Sequence, residues 1–525
     1  MVATGLLMLR PQRRRVLGVA PSMLLAAISI GALYWWSYGD AVRTFFLNDD
    51  YYLLDVTSRI TIASPWDVAQ FFRPAPFFLL YRPISTVMYF YALRAAFGHD
   101  PTWYHVVHLL FHIANALLVC AVATRLLKST SAGLTAGLVY ATAPGHALAA
   151  FWLSTFTMTG TAFFYFLALY VWFGPAWRWR VASTHVLFVL ALLASEHAIT
   201  LPIALTAGSV ILETRPDWRR IVHEQAVLYV IVGLYVGAKL YYMHWILPVH
   251  FSPVEYTMIA SNYAVDLDPR SLMRNLGFYF SHALPPLYEP AMGASTAVII
   301  GSLLAGSCVV AGGIVVWRQA RMPWRVAAYG LTLFVVTLAP VLVLPAHASS
   351  YYVGIAALGT ALAFAGAARG VPWAPTIASA AVVVVFVGMH VGSTAARVRN
   401  GAELKIYNGF SESTAGWLYT AATMTRGRGV LEVVVPDGSI DPMAVVHDAH
   451  KVLLCAPYAL RASKDMRSEA PTPGRLVLTH AAPLPVAHGW RRDWSWIPTT
   501  CNRDGNDAVK RAAEDDRSEL EGDLR

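Results

Sequence analysis

The chain has 525 residues, 56 % of them hydrophobic and only 14 % charged, with a mean hydropathy of +0.48. No soluble domain carries that composition on its surface, so the chain belongs in a bilayer. Its net charge of +9 would suit a nucleic-acid binder, but the Lys and Arg residues fall in short links between apolar runs, as orientation signals do, and nucleic acid is discounted as a partner.

At the N-terminus a basic stretch, Arg10 and Arg13 to Arg15, precedes an apolar run that reaches Trp36 without a small-residue cleavage site before Asp40. This predicts a retained anchor rather than a removed leader. Apolar runs long enough to span follow at 16–36, 104–127, 131–148, 150–173, 181–195, 197–213, 224–247, 293–317, 326–344, 350–368 and 372–392, about eleven in all. The segment 84–97, between Pro83 and Gly98, carries Arg94, and at about 1.5 Å per residue it covers only about 21 Å of a roughly 30 Å core. It is predicted to lie flat in the interface.

That placement puts Arg125, Lys128, Arg178, Arg180, Arg215, Arg219, Arg220, Arg318, Arg321, Arg325 and Arg369 on the side of the basic N-terminus, the cytoplasmic side by the positive-inside rule. Loops 37–103 and 248–292 and the tail from about 393 then lie outside, with Asp40, Asp49, Asp50, Asp55, Asp67, Asp100, Glu196, Glu255, Asp266, Asp268 and Glu289. Glu213, Asp217 and Glu224 lie inside. The expected class is therefore an all-α polytopic membrane protein, its transmembrane domain over 1–392.

In the tail, the apolar run Leu431 to Val435 followed by Pro436, Asp437 and Gly438 is a strand and turn signature. A helix-compatible segment over 443–460 and the run Leu476 to Leu478 complete a small extracytoplasmic α/β domain over 393–502. Residues 503–525 are charged, lack apolar periodicity and are predicted to be disordered. Cys120 and Cys308 sit in apolar spans as small hydrophobes, whereas Cys455 and Cys501 share the exported domain and are positioned to pair.

The residues able to carry chemistry gather on the outer side. Adjacent Asp49 and Asp50, in NDDYYLLD over 48–55, point in different directions in any local structure; one can face a cavity while the other caps a helix or binds an Arg, and Asp55 adds a third acid. Arg82 precedes Pro83 and the interfacial segment, where a guanidinium binds a lipid phosphate as a fork or snorkels to headgroups. His105, His108 and His112 recur at helical spacing, with His108 and His112 on one face, suited to a phosphate, a divalent cation or structural hydrogen bonds. His146, Glu196, His347, Tyr351 and Tyr352 come to the same side from other spans.

With these residues the chain resembles the GT-C superfamily of membrane glycosyltransferases, in particular the protein O-mannosyltransferase-like group and bacterial membrane proteins related to the tetratricopeptide-linked mannosyltransferases. The matching features are the acidic pair, Trp66 to Phe72, YRP at 81–83, FG at 97–98, YHVVHLLFHIANALL at 104–118 and LPAHASSYYVGIAALG at 344–359. The resemblance implies a GT-C-like fold and a polyprenyl-phosphate-linked sugar donor, with inverting transfer at the outer face to a protein or glycan acceptor in a bacterial plasma membrane. It also implies Asp49 as catalytic base, with Asp50 second; Arg82, with His108 or His347, is the candidate for the donor phosphate. The sequence departs from the family pattern in offering no second acid in FWLSTFTMTG at 151–160 and in having Ser195 before Glu196 where relatives often have Lys. A transporter or flippase of a lipid-linked solute, or a non-catalytic envelope-assembly protein, are the competing classes. Apart from Lys239, Asn115 and scattered Ser and Thr, the span centres are apolar, which disfavours the transporter.

Overall fold

In a computed structural model the chain is a helical bundle with a small sheet-containing C-terminal part. The structure describes residues 21–73, 80–246, 261, 263–283, 321–370, much of 384–398, 402–425, and, toward the C-terminus, 432–436, 438–447, 449–455, 460–463, 475–478, 481, 484 and 492–498. The basic N-terminal stretch, the expected span 293–317, most of 372–392, Glu255, Glu289, Cys308 and the tail 503–525 lie outside the described residues.

The first helices are α1 (Pro21–Tyr38), α2 (Asp49–Ser58), α3 (Tyr89–Phe97) and α4 (Pro101–Leu127). They are followed by α5 (Thr130–Ala141), α6 (His146–Phe151), α7 (Phe156–Trp172), α8 (Arg180–Ala194), α9 (Leu201–Leu212) and α10 (Trp218–Tyr241). After them come α11 (Pro269–Ala283), α12 (Met322–Leu342), α13 (Val353–Gly370) and α14 (Ala402–Thr425). Among the described residues five helical stretches are long and apolar enough to cross a membrane: Pro101–Leu127, Leu153–Trp172, Trp218–Trp245, Met322–Leu342 and Ser350–Gly370. Ile84–Phe97, Arg180–Ala194 and Glu196–Leu212 are shorter apolar helices. The expected span 131–148 divides at Ala143, Pro144 and Gly145. Pro144 cannot extend α5, and the Gly145 N–H leaves the helix to bond His282 O at 2.7 Å.

Burial sorts the long helices. The most apolar stretch of Ser350–Gly370 is 72 % buried and that of Trp218–Trp245 only 6 %, so α13 is the central post and α10 presents an apolar surface suited to lipid. α12 and α13 touch backbone to backbone through small residues. A Cβ at Gly359 would lie 2.5 Å from Gly330 O and from Phe334 N, so only glycine permits this approach.

Charge marks one end of the bundle. Arg125 at the end of α4 donates to Tyr170 O near the end of α7, and Arg180 at the start of α8 pairs with Glu224 in α10 at 2.7 Å. Arg325 in the first turn of α12 donates to Ile211 O in the last turn of α9 and to Glu213 O just past it. The opposite helix ends, where Arg82, Glu196, Lys239 and His347 lie, form the other pole.

The C-terminal part has three parallel strands, β1 (Glu432–Pro436), β2 (Leu460–Ser463) and β3 (Arg475–Val477), in the order β2-β1-β3, with Val433 opposite Leu460 and Leu476. Val433, Val434 and Val435 are all buried, as a central parallel strand covered on both faces requires. Two short helices, α15 (Pro442–Val446) and α16 (Ala449–Leu454), follow β1. Its core is not separate: Val433, Val435, Trp417 and Leu453 belong to one hydrophobic cluster with Phe45, Phe46, Tyr51 and Leu54 of the first loop. Cys455 is disulfide-bonded, and Cys501 lies outside the described residues.

Candidate active site

The acidic pair opens α2. Asn48, just before it, has φ 49° and ψ −119°, a positive-φ conformation that turns the chain so that the two carboxyls diverge. Asp50 is fully buried; Oδ2 accepts from Leu47 N at 3.0 Å and Oδ1 from Ser154 N at 2.7 Å. It therefore pins the first loop to the turn after α6, and burial pushes its carboxyl well above the usual carboxylate range. Asp49 keeps an accessible side chain although protein lies close around it. That enclosure, and next the neighbouring Asp441 carboxylate, push it up to about 6, with Arg82 pulling in the opposite sense. Asp55 is engaged elsewhere, paired one turn on with Arg59 at 2.7 Å.

The cationic cluster is assembled from three chain segments. Arg82 stands before a π-helical turn, Ile84–Met88, which Ser85 ties to the end of α8 by donating to Ala194 O at 2.5 Å. Arg82 donates through Nε at 2.8 Å and Nη2 at 2.5 Å to the two oxygens of Glu196, a bidentate fork. Lys239 Nζ reaches the same carboxylate at 3.6 Å, leaving two cations against one anion. Glu196 lies in the turn between α8 and α9. Burial acts to raise its carboxyl, but the Arg82 and Lys239 charges overcome this and hold it well below the usual range.

Aromatic rings line the approach. Tyr263 and His347 have ring centroids 4.6 Å apart, His347 and Tyr352 5.8 Å, Tyr352 stacks on His197 at 4.9 Å, and Tyr351 meets Trp152 edge-on at 5.7 Å. Tyr263 is within electrostatic reach of Arg82, Glu196 and Asp49, which places the acid and the cationic cluster in one neighbourhood. The structure thus brings together Asp49, Arg82, Glu196, His347, Tyr351 and Tyr352 from the sequence-derived set.

The other histidines form a separate group. His108 Nε2 bonds Ala149 O at 2.8 Å and its Nδ1 lies 3.5 Å from Tyr89 Oη; His112 Nε2 bonds Thr159 Oγ1 at 3.1 Å. The His146 ring packs against Tyr140 at 4.7 Å and His112 at 5.6 Å. These contacts knit α4 to α6 and α7 and are not with Arg82. Among the described residues no group of three or more His, Cys, Asp or Glu side chains is disposed to hold a metal ion.

Three contributors escaped the sequence reading. Lys239 stood out only as a charge inside a span; the signal was available, because an intramembrane cation is expected to find one of the few acids at its depth. Asp441, followed by Pro442, carries a helix-start signature that says nothing of its second partner in the first loop. Tyr263 gave no signal.

No family model matches the chain, and no curated protein matches it. Among solved structures it is similar to the apo crystal structure of the Archaeoglobus fulgidus oligosaccharyltransferase, at 12 % identity and a TM-score of 0.44, over 78 % of this chain and 62 % of that one. The chain thus spans less than two thirds of that protein's length.

Proposed function

We propose that this chain is a membrane glycosyltransferase that moves a sugar from a polyprenyl-phosphate-linked donor to an acceptor hydroxyl of a protein or glycan at the outer face of a bacterial plasma membrane, inverting the anomeric carbon. The observation that carries the reading is an accessible carboxyl, Asp49, within electrostatic reach of Arg82, whose partly buried cluster with Glu196 and Lys239 has one excess positive charge and lies at the pole opposite the basic helix ends. The basic helix ends support a cytoplasmic location for their own pole and an outer location for the cluster, and bonded Cys455 supports an oxidising compartment for the C-terminal part.

The chemistry follows from these groups. The acceptor oxygen attacks C1 of the sugar, its proton passes to Asp49, and the bond from C1 to the phosphate oxygen breaks with its electron pair leaving on the polyprenyl phosphate. Attack opposite the leaving group inverts the centre. A carboxyl at about 6 is mostly ionised at neutral pH and is a stronger proton acceptor than an ordinary carboxylate. Arg82 spends its fork on Glu196, so Lys239 supplies the freer charge for the departing phosphate while Arg82 fixes the position of the cluster. The Tyr263, His347, Tyr351 and Tyr352 rings give the sugar apolar and hydroxyl-bearing walls. The shorter apolar segment 84–97, which follows Arg82, is the proposed flank of the path by which the lipid chain enters from the bilayer.

Binding of radiolabelled polyprenyl phosphate to the protein in nanodiscs tests the donor assignment. Lys239→Met should weaken binding about 10- to 100-fold, the value of one hydrogen bond to a charged group. Equal binding by both proteins would remove Lys239 from the donor site.

A further inference from the structure

The acidic pair and the C-terminal part meet through one residue. Asp441, only 3 % exposed, accepts from the backbone N–H of Asn48 through Oδ2 at 2.7 Å and caps α15 by accepting from Met443 N through Oδ1 at 3.0 Å. Its own N–H donates to Thr414 Oγ1 on α14 at 2.9 Å. Each polar group of Asp441 that can reach a partner is used, and one of those partners is the positive-φ residue preceding Asp49. A second bond runs in parallel, from Phe45 N to Ser411 Oγ at 3.0 Å, also on α14. Tyr52 in α2 packs against His447 just past α15, ring centroids 4.9 Å apart, and His99 bonds Pro498 O at 3.0 Å.

We propose that the C-terminal part is a component of the active site rather than an appended domain, and that Asp441 is a positioning residue that holds Asn48 in its turn and sets the direction and charge environment of Asp49. A positive-φ Asn is held only when its surroundings impose it, and the Asp441 carboxylate is the group that bonds its N–H. Because Asp441 presents its second oxygen to α15, a shift of the strand β1 and its following turn is transmitted directly to the residue beside the proposed base. The charged and titratable groups that act on Asp49 are Asp441 and Asp50 as like charges, Arg82 as the opposing one, and the Tyr52 and Tyr263 hydroxyls. Asp441 is the nearest in effect among the carboxylates, and it comes from a part of the chain nearly four hundred residues away in sequence.

The functional consequence rests on Asp49 being the base, but the structural claim does not, and two measurements made without donor or acceptor separate them. In the full chain in nanodiscs, modification of Asp49 by an apolar carbodiimide, which consumes the protonated carboxyl, is followed by mass spectrometry across pH. Asp441→Asn, which keeps an acceptor oxygen but loses the charge, should move the midpoint of labelling down by roughly one pH unit. An unchanged midpoint would overturn the electrostatic role. Hydrogen exchange at the Asn48 backbone N–H should accelerate at least about tenfold in Asp441→Ala, and much less in Asp441→Asn. Ser411→Ala serves as the comparison, releasing Phe45 N while leaving Asn48 protected. Equal protection of Asn48 in wild type and Asp441→Ala would overturn the positioning role. Loss of both effects with transfer intact refutes this inference alone, and both effects without any transfer refute only the enzymatic reading.

Discussion

Replacing Glu196 with Gln is the sharpest test of the cationic cluster. The side chains of Arg82 and Glu196 are 12 % and 17 % exposed, so the pair is screened far less than a surface bridge. Removing one partner of a buried ion pair costs about 3–5 kcal/mol; Gln keeps an oxygen facing Arg82 Nε, which places Glu196→Gln near the lower end. Arg82→Gln leaves Glu196 with Lys239 as its remaining cation and should cost a similar amount. If the two side chains stabilise the fold through each other, the double variant costs less than the two single ones together, with a coupling of about 1–3 kcal/mol. Unfolding free energies in mixed micelles give all four corners of the cycle. The pH dependence has a definite sign. A carboxyl whose folded value is depressed stabilises fully above its ordinary value of 4.5 and loses that contribution as pH falls through the folded value, so the coupling should persist at pH 5 and fade on stronger acidification. Strict additivity at neutral pH would refute the account of Arg82 and Glu196 as one unit.

Asp49 behaves in the opposite way: held near 6 against an ordinary 3.8, it must lose its proton to act, so the rate of transfer should rise with pH through about 6 and level off above, and a flat profile from pH 5 to 8 would argue against it as base. The same raised value makes its contribution to stability largest below 3.8 and lost as pH climbs through 6. Asp50→Ala strips the acceptor from two backbone N–H groups and should lower stability by about 2–6 kcal/mol, visible in the same micellar unfolding assay; full stability would mean that the pin to Ser154 is unimportant. Gly359→Ala should drive α12 and α13 apart at a cost of about 1–3 kcal/mol or more, and engineered cysteine cross-linking across that helix pair should slow; an unaffected variant would contradict the close contact with Gly330 and Phe334.

Much of this arrangement was legible in the sequence where the signal is local. The divergence of Asp49 and Asp50 follows from their adjacency, and the strand before Pro436 and Gly438 follows from its valines and its turn residues. The gathering of Glu196, His347 and Arg82 on one side followed from counting spans against the basic clusters. Span boundaries were less readable at 131–148 because hydropathy averages over Pro144 and Gly145, while the backbone breaks there. His108 and His112 were legible as neighbours but not in purpose, since helical spacing places two imidazoles on one face without saying whether Ala149 O or a ligand meets them. Lys239 and Asp441 act through partners tens to hundreds of residues away, and nothing in a local pattern specifies such a pairing. The first-loop core illustrates the same limit: Phe45 and Val433 are each predictable as buried, yet that they are buried in one cluster is a property of the assembled chain.

Transfer of a sugar with Asp49 as base is the property on which every other role assigned to this site depends. Purified wild type and Asp49→Asn, in nanodiscs, should be incubated with a panel of radiolabelled polyprenyl-phosphate sugars and a membrane extract as the source of acceptor. The wild type should transfer label from at least one donor, and Asp49→Asn, with the same unfolding profile, should be slower by about 10²- to 10⁴-fold. Equal transfer by both folded proteins would contradict the assignment of the base, and no transfer by the wild type from any donor would contradict the enzyme.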